Sequence, residues 1–67
     1  MTGMDLRQLR RALGLGVVQF GYALGFKGNQ NTVSVEVREM ESGKKPVPDK
    51  TAARARELAA SAARNLR

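Results

Sequence analysis

The sequence predicts an all-α fold, a small bundle of about four short helices. Three observations lead there. Apolar residues recur at spacings of three and four in successive segments. Glycines stand where the first three of these segments stop. A "PVP" stretch from Pro46 to Pro48 then sets off an alanine-rich tail. With 67 residues the chain makes one domain. A domain this small buries only about 60% of the surface its unfolded form exposes, so help from a partner subunit is expected.

The opening "TGMDLRQLRRALG" places Leu6, Leu9 and Leu13 on one face of a helix at about residues 4–13, with Arg7, Arg10 and Arg11 on the others. Thr2 is the candidate cap, with Asp5 three residues on, and Gly14 is the stop. The plain account of the three arginines is a solvated face; the alternative is contact with phosphate. In "LGVVQFGYALGF", Val17, Phe20, Ala23 and Leu24 share one side of a second helix, about residues 17–24, between Gly16 at the cap and Gly25 at the end. Gly21 falls inside this helix, where glycine costs about 1 kcal/mol relative to alanine, so another helix is expected to cross there. Val18 and Tyr22 fall outside the stripe, at the rim of the core or facing a partner.

A polar "KGNQN" leads to the third segment, "TVSVEVREMES", which carries two periodicities. Val33, Val35 and Val37 alternate with polar residues as in a strand. Val33, Val37 and Met40 instead fall four and three apart, a helical stripe that continues where the alternation stops. A lone strand would also lack a partner within the chain and would need a second subunit to pair with. The helix is therefore expected, at about residues 31–42, capped by Asn31 or Thr32 and ended by Gly43. Pro46 and Pro48 force an extended link. The tail forms a last helix, about residues 49–63, with Asp49 as its cap and a shallow stripe of Ala52, Ala55, Leu58 or Ala59, Ala62 and Leu66. Past about Ser61 this helix is expected to fray.

Composition narrows the function. No cysteine and no histidine are present, which excludes disulfides and the usual zinc, haem and histidine-based catalytic sites. No catalytic residue, metal or cofactor is expected, and the chain does not read as an enzyme. Twelve Lys and Arg against six Asp and Glu give a net charge of +6, and the isoelectric point is near 10.9. Such a balance points to a phosphate-rich partner, nucleic acid first. No apolar run is long enough to span a bilayer and there is no signal-peptide core, so a cytoplasmic protein without membrane contact is expected. Phe20, Tyr22 and Phe26 are the only aromatics, too few for RNA recognition by base stacking. Three helices, the second and third joined by a turn, in a basic chain form the architecture of helix-turn-helix DNA-binding domains.

Residues 5 to 48 resemble the Cro and CI class of helix-turn-helix regulators, the XRE family, through "LRQLRRALGLGVVQFGYALGF" followed by "MESGKKPVP". Leu6, Leu9, Arg10 and Leu13-Gly14 match the family's first helix, Phe20, Gly21 and Leu24-Gly25 its second, and Met40-Glu41-Ser42-Gly43-Lys44 with Pro46 the end of its third. Three departures stand out. The glutamine that commonly contacts phosphate in helix 2 falls on Val17. The aromatic before the motif glutamate is Met40. The stretch from Gly25 to Glu41 is about six residues longer than is usual for such motifs. The resemblance implies a lambda-repressor-like fold and a homodimeric repressor on a palindromic double-stranded DNA operator. It further implies a regulator, often of its own operon, of the kind phages and mobile elements encode; the anti-CRISPR-associated regulators are one such group. No small-molecule ligand is expected.

A recognition helix offers its N-terminal residues to base edges, where Asn and Gln pair with adenine and Arg with guanine. Asn29, Gln30, Asn31, Thr32, Ser34, Val35 and Arg38 supply these chemistries, with Val35 suited to a thymine methyl. Asn29 to Asn31 also read as no more than a turn and cap. Phosphate contacts are expected from backbone N–H groups near Gly16 and from Lys27, Lys44 and Lys45. Glu36, Glu39 and Glu41 oppose such contacts. Glu41 matches the family's structural glutamate and Arg10 is its expected partner, while Glu36 and Arg38 or Lys44 are candidates to balance Glu39. Two other functions fit the composition: the antitoxin of a toxin-antitoxin pair, and an adaptor or antiactivator on an acidic protein surface.

Overall fold

The computed structural model describes residues 1–65, in which four helices follow one another with no strand: α1 (Gly3–Ala12), α2 (Val17–Ala23), α3 (Gln30–Ser42) and α4 (Asp49–Asn65). α1 starts on a reciprocal cap. Thr2 Oγ1 accepts the Asp5 N–H at 3.1 Å, and Asp5 Oδ2 accepts the Thr2 N–H at 3.1 Å. These bonds hold the Asp5 carboxyl below its ordinary pKa. Because Thr2 is the cap, the helix begins at Gly3, one residue earlier than the spacing suggested.

α1 and α2 end in the same way. Gly14 (φ 71°) donates to the Arg11 carbonyl while Leu15 donates to that of Arg10; Gly25 (φ 97°) donates to Tyr22 while Phe26 donates to Gly21. Each is a Schellman closure, which requires a left-handed residue that glycine adopts without strain. In both, the residue after the glycine, Leu15 or Phe26, turns back to pack against the core.

The third segment is a helix, with no trace of the strand its valines suggested. Val33 and Val37 are fully buried and Met40 nearly so, whereas Val35 is 51% exposed. The helix starts at Gln30, ahead of the expected start, because Asn29 rather than Asn31 or Thr32 is its cap: Asn29 Oδ1 accepts the Thr32 N–H at 2.9 Å. α2 lies across it at Gly21, as the interior glycine predicted. A Cβ there would collide with Val33 Cγ1 and stand 3.1 Å from Val37 Cγ2. A second close approach has no counterpart in the expectations above. A Cβ on Gly3 would run into the Met40 carbonyl oxygen and come within 2.7 Å of that of Glu41, so the start of α1 abuts the last turn of α3.

α4 departs from the expectation at both ends. Asp49 is its first helical residue and not its cap. Pro48 stands at the cap position, its carbonyl accepting the Ala52 N–H at 2.9 Å, which leaves Asp49 as an acid in the positively polarised first turn. The helix spans Asp49–Asn65, two residues past the expected end; Leu66, expected to close the apolar stripe, lies outside the described residues. Ala52 and Ala55 bury the stripe, and Arg54 Nε donates to the Ala23 carbonyl at 3.1 Å, placing a cation at the negative end of α2. Leu6, Phe20, Leu24, Val37, Met40 and Ala55 bring all four helices into one core.

Candidate nucleic-acid interface

At about 100° per residue, Asn31, Val35, Arg38 and Ser42 fall on the side of α3 opposite Val33, Val37 and Met40. All four are exposed. Ser34 and Glu41 lie on the flank toward α1, and Thr32, Glu36 and Glu39 on the other. The helix therefore sorts its side chains by angle, and its three glutamates are kept off the outermost line.

Each of these glutamates also has a cationic partner within the chain, and two of them share one. Arg10 of α1 grips Glu41 with two bonds, Nε to Oε2 at 2.7 Å and Nη2 to Oε1 at 3.2 Å, while its Nη1 donates to the Leu15 carbonyl at 3.1 Å. With only 15% and 9% of the two side chains exposed, this is the expected structural pair, and it is shielded from solvent. On the far flank Lys45 Nζ meets Glu36 Oε1 at 3.2 Å and Glu39 Oε1 at 3.6 Å. The hydrogen bond to Glu36, with the charges of Glu36 and Glu39, raises the Lys45 pKa above its ordinary value. Glu39 is thus balanced by Lys45, and not by Lys44 or Arg38. Lys45, which the sequence offered as a phosphate ligand, is engaged by two carboxylates.

The front of α3 is fixed by the long turn before it. Gly28 takes φ 118°, and Tyr22 Oη donates to its carbonyl at 2.8 Å, tying the turn to α2. Asn29 then uses its side-chain oxygen as the cap, so of the residues expected to read bases it alone has its acceptor occupied at the helix start. Ser34 Oγ donates to the Asn31 carbonyl at 3.2 Å and keeps its lone pairs free. Gln30, Asn31, Thr32, Val35 and Arg38 all present exposed side chains. Among the other expected phosphate contacts, Lys27 and Lys44 are exposed, one before and one after α3, and neither makes an ion pair among the described residues. Gly16 differs: its N–H already donates to Gln19 Oε1 at 3.1 Å.

Sequence reasoning missed one more grouping. Arg7, Arg10, Val17, Arg38, Glu41 and Ser42 line an open notch of about 260 Å³ where α1, the start of α2 and the end of α3 meet. A signal for it exists. Arg7 lies one turn from Arg10 and Arg38 one turn from Glu41, so each of the other two arginines shares a helix face with one member of the ion pair. No family model, curated protein or solved structure matches the chain. The chemistry of this surface therefore rests on its own side chains. Among the described residues no cluster of potential metal ligands occurs, and no helix is long and apolar enough to cross a membrane.

Proposed function

We propose that this chain is a sequence-specific DNA-binding transcriptional regulator of the Cro/CI helix-turn-helix class, a cytoplasmic, non-enzymatic repressor of its own operon. It acts as a homodimer on a palindromic operator, with α3 in the major groove. One observation carries the reading: each glutamate of α3 is drawn to a cation off the outward line, Glu41 to Arg10 and both Glu36 and Glu39 to Lys45, while the outward line of the same helix keeps polar and cationic groups with no ion partner among the described residues. Three free carboxylates would repel the phosphates flanking the groove, and the two cations that hold these glutamates weaken that repulsion.

Gln30, Asn31, Ser34 and Val35 occupy the first two turns of α3, the part of a recognition helix that reaches base edges. Asn31 and Gln30 have the donor and acceptor pair that adenine requires, and Val35 suits a thymine methyl. Lys27 and Lys44 bracket the helix as phosphate contacts. Dimerisation is supported by size, since so small a core gains from a second copy. The test is a gel shift on the DNA upstream of the chain's own coding sequence, with scrambled DNA as competitor. The wild type retards that DNA selectively, and Asn31→Ala loses discrimination equivalent to about 1–3 kcal/mol while remaining folded. Absence of binding to any duplex, together with a co-purifying protein, would select the adaptor function instead.

A further inference from the structure

The arginine notch goes one step further than the reading surface, and its assignment to DNA rests on the function proposed above. We infer that the notch between α1, the start of α2 and the end of α3 is a phosphoryl-binding site whose ligands are the guanidinium groups of Arg7 and Arg38. Of the four charged groups that line it, two cancel: Arg10 and Glu41 form a bidentate pair at 2.7 and 3.2 Å. Arg10 Nη1 also donates to the Leu15 carbonyl, so three bonds fix that residue as the floor of the notch. Arg7 and Arg38 remain. Both are exposed, and neither has an ion partner among the described residues.

Two guanidiniums without ion partners among the described residues line one notch, and an oxyanion held between them would be attracted by both. Guanidinium is suited to the role, because its planar fork of N–H donors matches the oxygens of a phosphoryl group two at a time. The other walls neither compete nor substitute. Val17 is apolar, and the Ser42 hydroxyl proton is directed to the Glu39 carbonyl at 3.1 Å. Arg38 also lies on the outward line that begins with Asn31 and Val35. A phosphoryl group in the notch would therefore sit at the end of the reading face, where a backbone phosphate bordering the groove belongs. Arg38 is then a phosphate ligand and not a reader of guanine, which revises the role its side-chain type suggested.

Two sources could supply the group, a DNA backbone phosphate or a free phosphorylated molecule, and one experiment separates them. Affinities of wild type, Arg7→Gln and Arg38→Gln for operator and random duplexes are measured across a salt series. In parallel, guanidinium NMR signals are followed as inorganic phosphate is added, with chloride as control. Each variant should lose about tenfold affinity for operator and random DNA alike, with the log-log salt slope shallower by about one. Phosphate should shift the Arg7 and Arg38 signals together, to saturation. An unchanged slope, or an Arg38→Gln variant that loses operator binding but keeps random binding, would overturn the inference while leaving the DNA function intact. If the wild type binds no duplex yet phosphate saturates the two arginines, the DNA function fails and the notch serves a free ligand. If neither binds, both fail.

Discussion

The two halves of α3 are held by different forces, and the difference separates scaffold from surface. The rear half is locked by charge. Arg10 reaches across from α1 to Glu41, and Lys45 folds back past Gly43 onto Glu36 and Glu39, with its own N–H bonded to the Glu39 carbonyl at 3.1 Å. The front half is held by backbone geometry, through the Asn29 cap and the Tyr22 bond to Gly28. Neutral anchors leave the outward side chains of the front half free, whereas the ionic anchors of the rear take up the flanking glutamates and leave Arg38 exposed on the outward line. One helix can then be rigid at both ends and still present a single open face.

Breaking the rear anchor should have the largest effect. Glu41→Ala leaves Arg10 largely shielded from water without its partner, a loss of about 3 kcal/mol. In a domain of this size that lowers the melting temperature by about 15 °C, measurable by circular dichroism. Combining Arg10→Met with Glu41→Leu should recover much of the loss, since no unpaired charge remains. Next in size is Gly21→Ala, where the new methyl meets Val33 and Val37 at the α2–α3 crossing. Its overlap outweighs the gain in helix propensity and should destabilise by about 2 kcal/mol by thermal or urea unfolding.

The front anchor should respond differently. Tyr22→Phe removes one exposed hydrogen bond, about 0.5 kcal/mol of stability, yet loosens the turn that aims Gln30 and Asn31. Operator affinity should fall about threefold with random-DNA affinity unchanged; equal losses on both would mean that Tyr22 does not position the reading end. The smallest effect concerns pH. The depressed Asp5 carboxyl contributes stability that is present above its unfolded pKa and lost only as pH falls through its lower folded value. The raised Lys45 ammonium contributes stability that is present below its unfolded pKa and lost only as pH rises through its higher folded value. With no histidine to titrate between them, melting temperature should be flat from about pH 5 to 9.

These anchors were unequally legible in the sequence. The helix over the valine run could be read because Val33, Val37 and Met40 form a stripe that alternation does not explain. Gly21 could be read because an interior glycine is unfavourable without a close neighbour. Gly3 could not: ahead of the first apolar position it resembles any loop glycine, and only the approach of the last turn of α3 gives it a reason. The cap among "NQNT" was ambiguous because three of its four residues are able caps, and the choice of Asn29 is set by the turn through Gly28. Lys45 reads as a phosphate ligand in the sequence because its partners are six and nine residues away, and the reversal at Gly43 that brings them together is a tertiary event. The notch depended on the same kind of information, since its arginines come from different helices.

The salt dependence of duplex binding, measured by fluorescence anisotropy, tests the central claim most directly. Arg7, Arg38, Lys27 and Lys44 are the cations proposed to meet phosphates. Neutralising that many should give a log-log slope of about −3 to −4 per protomer. A slope near zero would mean that the open face of α3 does not meet DNA.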